Sequence, residues 1–401
     1  MILKFILIAA ATFSLAYPLP SVASGFDFDQ FMQQIERTRP RTLDQALALL
    51  PESLRSNYTL IQDSHGLQSS SHEKPRAVLF GKDAQVIASF TADQGKEADN
   101  TIEIMQFNSG KNVFEFFTVP FPLRLNADGH VQRPETNPGI CLTCHGSDPA
   151  PIWGKYPALP GVYASNSHEM RSAPAEEESR FLNFMKQQPQ VQRYRRLLPQ
   201  KDAEVSPNQR ISVLINRWSA RRAANRLLSS PHFRKYGLLM IYELLSRSGT
   251  EANSLSPSQQ ARLWRFLESD FGSSQTLRAR EFVPGDLNAA HLYFLLTGLR
   301  REEVCAVEAA QAVGCSYDGF SGDEGKVAYL LSKTVTLHSP AVASLLRETS
   351  LELTFRLRPG SDADSSSLEM PRIADQITSE VTAPDLEKLH SLVVKSYRLG
   401  N

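Results

Sequence analysis

The chain has 401 residues and carries 43 Lys and Arg against 43 Asp and Glu, so its formal charge at neutral pH is zero. That balance excludes a general electrostatic attraction to nucleic acid or to an anionic membrane, and any docking surface must be local. The length exceeds what one hydrophobic core usually serves and points to two or three domains.

Residues 1–23 read as a signal peptide: Lys4, an apolar run from Phe5 to Leu15, then Ser21-Val22-Ala23 as a small-residue cleavage site. The apolar core is too short to span a bilayer, and no later stretch is long and apolar enough. The expectation is a bacterial periplasmic protein with no integral membrane segment after cleavage.

From Phe28 to Leu50 the apolar residues recur at helical spacing, with a break near Pro40. Asn57-Tyr58-Thr59 matches a glycosylation acceptor and is expected to be only a turn. The period then shortens. Ala77–Phe80, Gln85–Thr91, Thr101–Phe107 and Asn112–Val119 are rich in Val, Ile and Phe and are separated by Gly- and Asn-containing turns, the pattern of an antiparallel meander. In the last run Phe114, Phe116 and Thr118 alternate with Glu115 and Phe117, which predicts one face more buried than the other. Residues 24–134 are thus expected to form a β-rich N-terminal domain, and 135–205 a central loop segment.

Residues 206–401 read as mainly helical. Ser206-Pro207 has the form of an N-cap followed by proline at the first helical position, and Ile211, Leu214, Ile215 and Trp218 repeat at helical spacing. Further helices are expected over Pro231–Arg247, Ser256–Phe271, Asp286–Arg300, Gly325–Val335 and Pro384–Tyr397, a strand over Leu351–Leu357, and a polar loop over Gly360–Ser367. The fold class expected is α+β. Cys305 and Cys315 are the thiols outside the central segment, and in an oxidising compartment a disulfide closing a small loop is their simplest state; two buried thiols are the alternative.

The central segment carries Cys141-Leu142-Thr143-Cys144-His145, a CxxCH. In a chain this poor in Cys it would arise by chance roughly once in a thousand sequences. Two thiols at this spacing can add across the two vinyl groups of one haem while the adjacent imidazole reaches the iron from the same side. The expected cofactor is therefore one covalent haem c, with Cys141 and Cys144 as attachment points and His145 as iron ligand. Two other uses of the motif stay open. A redox-active dithiol would want a strand-to-helix βαβ setting, whereas the motif stands between Asn137-Pro138-Gly139 and Gly146-Ser147-Asp148-Pro149. A structural zinc site would want a second ligand pair at short spacing, and Cys305 and Cys315 lie far downstream.

The sixth iron position decides what such a haem does. Met170, in the polar stretch Ser167-His168-Glu169-Met170, is the first candidate; Met185, His168 or an open position are the others. Met105, Met240 and His291 read as core residues. Trp153 and Tyr156 are candidates to line the haem pocket, or else a surface aromatic clamp. Arg193, Arg195, Arg196, Arg210, Arg217, Arg221 and Arg222 make 191–235 locally basic, and a solvated helix face is the expected explanation.

With these residues in hand, the segment resembles the class I c-type cytochromes. Cys141 to Gly146 matches their attachment motif, and Pro157-Ala158-Leu159 is similar to the Pro-x-Leu that follows it there. The resemblance implies that the Pro157 carbonyl accepts a hydrogen bond from His145 and fixes the ring. Pro151-Ile152-Trp153 through Pro160-Gly161-Val162-Tyr163 also resembles exported bacterial single-haem proteins of unassigned activity. Three functions follow: single-electron transfer with a periplasmic redox partner protein; a peroxidase-like haem enzyme or ligand sensor with an open sixth site; or a binding module with a structural or redox-switch haem. A di-haem peroxidase needs two CxxCH motifs, and this chain has one.

Overall fold

The computed structural model describes residues 26–64, 66–92, 95–151, 161–163, 175–200, 207–246, 255–282, 286–299, 344 and 383–399. The signal segment, the helix expected at 325–335, the strand at 351–357 and the loop at 360–367 lie outside them. The fold is α+β: an antiparallel sheet in the N-terminal half and helices through the C-terminal half.

The chain begins with α1 (Phe28–Thr38), α2 (Leu43–Leu47) and α3 (Glu52–Arg55). Asp27 caps α1 by accepting a hydrogen bond from the Gln30 amide at 2.8 Å, and the helix stops where Arg39 turns left-handed ahead of Pro40. Phe28, Phe31 and Ile35 lie along one side of α1 and are buried, as their i, i+3, i+7 spacing requires.

The strands are β1 (Tyr58–Ile61), β2 (Arg76–Leu79), β3 (Val86–Phe90), β4 (Thr101–Asn108) and β5 (Val113–Pro120). They pair in chain order, each antiparallel to the next, as the expected meander does. β1 overturns the turn reading of Asn57-Tyr58-Thr59. Four residues are too few to show alternation, and the strand exists because Tyr58–Ile61 pairs with Arg76–Leu79, a contact local sequence does not carry.

Both faces of the sheet are covered, so the expected asymmetry of β5 is corrected as well. One face, with Ala77, Leu79, Ala88, Phe90, Ile104, Phe117 and Val119, packs on α1–α3; Phe28 and Phe117 stack with ring centroids 3.6 Å apart. The other face, with Val78, Phe80, Ile87, Met105, Phe107, Phe114 and Phe116, receives Ile211, Leu214, Ile215 and Trp218. These four belong to α6 (Pro207–Ser229), and the Trp218 indole donates to the Asp83 carbonyl at 2.7 Å. Between sheet and α6 the chain forms α4 (Gly139–His145) and α5 (Ala175–Gln187).

The second half of α6 leaves the sheet. Ala223, Ala224 and Leu227 enter a separate helical core with α7 (Phe233–Ser246), α8 (Pro257–Phe271), α9 (Ser273–Phe282), α10 (Ala289–Thr297) and α11 (Ala383–Ser396). Ser256 and Gln259 form a capping box around Pro257 at the start of α8. The helices expected here are present with small shifts of their ends. α5 and α9 escaped the sequence because few of their positions are buried and apolar residues such as Leu182 and Leu277 stand exposed, which blurs the apolar stripe. His291 is a core residue, as expected: fully buried, its Nδ1 accepts from the Asn288 amide and closes the cap of α10. Among the described residues no helix is long and apolar enough to cross a membrane.

Candidate functional site

The CxxCH lies on a helix, not in the loop expected for it. α4 is seven residues long and contains Gly, Thr, Ile and two Cys, a composition too short and too weak to be helical alone. Two anchors hold it. At its start Asn137 takes a left-handed conformation (φ 56°) and pairs with the edge of β5: its amide donates to the Phe116 carbonyl and its side-chain oxygen accepts from the Phe116 amide, both at 2.8 Å. At its end Gly146 adopts φ 78°, ψ 170° and closes the last turn onto the Leu142 carbonyl at 2.9 Å. That backbone conformation belongs to glycine alone.

Beyond Gly146 the chain is clamped by α6. The Asp148 carboxylate meets Arg222 Nη2 at 2.6 Å and pairs also with Arg226, and Arg222 Nη2 donates to the Asp148 carbonyl at 2.8 Å. Arg222 is fully buried, so this pair is shielded from the screening that weakens surface ion pairs. The clamp fixes residues 148–150, and Ala150 presents its carbonyl to His145 Nδ1 at 2.6 Å.

Cys141, Cys144 and His145 stand at i, i+3 and i+4, hence on one side of α4. A carbonyl only accepts, so Nδ1 carries the ring proton and donates, which leaves the lone pair on Nε2. Burial pushes the His145 pKa down to about 4, against the Ala150 hydrogen bond that raises it; the imidazole is neutral at physiological pH. Its ring rests on Phe116, with centroids 4.2 Å apart. Cys141 packs against the aromatic cluster of this sheet face, and burial pushes its thiol up to about 11, with the Glu103 carboxylate adding to the effect and Arg76 opposing it.

Arg76 and Glu103 belong to a polar strip on the same face of the sheet. The Arg76 guanidinium pairs with the Glu103 carboxylate and donates to Ser89 Oγ at 2.8 Å and Gln68 Oε1 at 3.1 Å. Both charges are mostly shielded, at 18% and 17% exposed.

The structure thus brings Cys141, Cys144 and His145 together on one helix face. The carbonyl held to His145 is that of Ala150; Pro157, on which the resemblance placed this role, lies outside the described residues, as do Trp153, Tyr156, His168, Met170, Cys305 and Cys315. Met185 packs in the core on the far side of the sheet and is not brought to His145. The solvated-face expectation is corrected for Arg193 and Arg222, which are buried, while Arg195 is exposed as expected though paired. Arg193 is buried and donates to the Thr91 carbonyl at 2.7 Å, Arg195 and Arg196 both bind Asp44, Arg221 donates to Asn112 at 3.1 Å, and Arg222 holds Asp148. Side chains of Arg210 and Arg217 lie outside the described set.

Sequence reading passed over Phe116, Asn137, Asp148, Ala150 and Arg226. Asn137 and Asp148 had a signal, as turn residues flanking the motif; the Ala150 carbonyl had none, since every residue carries one. Among the described residues no three His, Cys, Asp or Glu side chains converge as a site for a bare metal ion. Compared with known proteins, the chain matches no family model, no curated protein and no solved structure.

Proposed function

We propose that this chain is an exported c-type haem protein, with one haem bonded through Cys141 and Cys144 and ligated by His145, and that it transfers single electrons to a periplasmic partner protein. The observation that carries the reading is the state of His145. Its proton is held on Nδ1 by the Ala150 carbonyl, its ring is neutral, and its Nε2 lone pair is available beside two thiols on the same helix face. A hydrogen bond to the distal nitrogen of a ligating imidazole fixes its tautomer and raises its basicity. A haem bound there supplies one-electron iron chemistry.

The chain's residues support this use over a dithiol. A redox-active CxxC works through a thiol whose pKa is lowered, and the Cys141 thiol is raised by burial among aromatic rings. The outer side of α4 is at the surface, with Gly139, Ile140 and Thr143 exposed, so a partner protein has access to the motif helix. The export signal expected at 1–23 supplies the periplasmic part of the reading.

Mass spectrometry of the protein expressed with periplasmic haem-attachment machinery tests it. One haem adduct is expected, retained on denaturation and absent from a Cys141→Ser, Cys144→Ser double variant. Protein recovered at the mass of the bare polypeptide would overturn the proposal.

A further inference from the structure

The side of the sheet facing α4 can be read residue by residue. From β2 to β5 it presents Arg76, Val78, Ile87, Ser89, Glu103, Met105, Phe107, Phe114, Phe116 and Thr118, by the alternation of the paired strands. Among these only Met105 carries a soft, neutral donor of the kind that binds haem iron. The Glu103 carboxylate is committed to Arg76.

Met105 also stands in the right place. Its direct cross-strand partner is Phe116, and directly opposed residues hold their Cβ atoms about 5 Å apart. Phe116 is the ring on which the His145 imidazole rests. β4 therefore runs beside the strand on which the imidazole of the motif helix rests, with Met105 next to Phe116. Met105 is buried at 9% exposure and shares one apolar cluster with Phe116, against which Cys141 packs.

We propose that Met105 is the axial partner of His145, supplying its thioether to the sixth iron position. The inference rests on the haem reading above and deepens it. It also departs from the first candidate of the sequence, Met170, which follows the motif; here the donor comes from a strand upstream, so the sheet that builds the fold would also set the redox properties of the site. A strand held by neighbours on both sides fixes a ligand more firmly than a loop does.

The experiment compares the purified holo-protein with Met105→Leu, Met105→His, Met170→Leu and Met185→Leu. Leu is close to Met in volume and should leave the fold intact. Wild type is expected to show the weak red charge-transfer band of a Met-ligated ferric haem c. Met105→Leu should lose that band and gain carbon monoxide binding in the ferrous state. Met105→His should lose the band yet stay low-spin and closed to carbon monoxide, and the other two variants should match wild type. Haem-bearing Met105→Leu with an unchanged spectrum, loss of the band in Met170→Leu or Met185→Leu, or no such band in wild type overturns the ligand assignment and leaves the haem reading standing. Absence of any haem adduct on the wild-type chain overturns both.

Discussion

The two faces of the one sheet differ in what they contain. Toward α1–α3 the strands present Ala77, Leu79, Ala88, Phe90, Ile104, Phe117 and Val119, which meet Phe28, Phe31 and Ile35 in a mostly apolar layer, with Gln106 accepting from the Phe28 amide and Glu115 buried beside it. Toward α4 and α6 the same strands carry aromatic rings and a methionine, but also Arg76, Ser89 and Glu103, and the layer above them includes a thiol, an imidazole and buried Arg222. The first face gains stability mainly by excluding water. The second accepts the cost of burying polar groups, each of which must then be paired. The comparison teaches where changes should register: on the closed face in the free energy of folding, on the other in the state of the cysteines and His145.

The largest expected effect lies on the closed face. Phe117→Ala removes a side chain that is 2% exposed and stacked on Phe28, and a cavity of that size costs about 3–5 kcal/mol. Urea denaturation should show that loss, while mass spectrometry of the folded fraction still finds haem attached. A fall in haem occupancy of the folded protein to match the fall in stability would break the division of labour between the faces.

Next in size is the clamp between α6 and the segment after the motif. Asp148→Ala leaves the Arg222 guanidinium buried without its carboxylate, a loss of about 3 kcal/mol for a pair shielded on one side. Because the same segment carries Ala150, the His145 Nδ1 resonance should also shift and its proton exchange faster. Unchanged His145 signals in a destabilised protein would reduce the clamp to a structural role.

The faces should also part with pH. In a haem-free Cys141→Ser, Cys144→Ser protein, burial holds the folded-state pKa of His145 near 4 against an ordinary 6.5. The unfolded chain then binds the extra proton over that interval, so stability is full above 6.5 and is lost as pH falls toward 4, by about 3 kcal/mol. Near α2, below the closed face, Asp44 behaves differently. Burial raises its carboxyl, but hydrogen bonds from Arg196 and Arg195 outweigh this and leave it below its usual 3.8. Its contribution is present above 3.8 and disappears only as pH falls lower. Denaturation midpoints across pH 7 to 3 should show the His145 loss first, and His145→Leu should flatten that first loss alone.

What the sequence disclosed follows from the same contrast. The closed face is written in periodicity: Phe28, Phe31 and Ile35 on a helix, and the alternating strands from Ala77 to Val119, were legible because burial repeats with the backbone's own period. Cys141, Cys144 and His145 were legible because a CxxCH stands out in a chain with only four Cys. What was not legible is everything that joins these two. Asn137 reaching the edge of β5, Arg222 reaching Asp148, and Ala150 reaching His145 are each set by tertiary approach. Met105 reads as a packing group in a strand of apolar residues, and the structure buries it in the apolar cluster of this face.

The smallest effect expected separates the two glycines that bracket the motif. Gly146 at φ 78°, ψ 170° occupies backbone space that no side chain tolerates, and Gly146→Ala should cost about 1–2 kcal/mol. The strain falls on the turn that joins His145 to the segment held by α6, so relief would come from opening the Leu142–Gly146 hydrogen bond and letting the imidazole turn away. Gly139, at the first turn of α4, has an ordinary φ, and a Cβ there meets nothing within 4 Å. Gly139→Ala should be neutral or stabilising by a few tenths of a kcal/mol, through the entropy it removes from the unfolded chain. Thermal unfolding and haem yield, measured on both variants, should place the loss at Gly146 alone. Equal behaviour of the two would mean that α4 is shaped by attachment of the proposed haem rather than by the turn after His145.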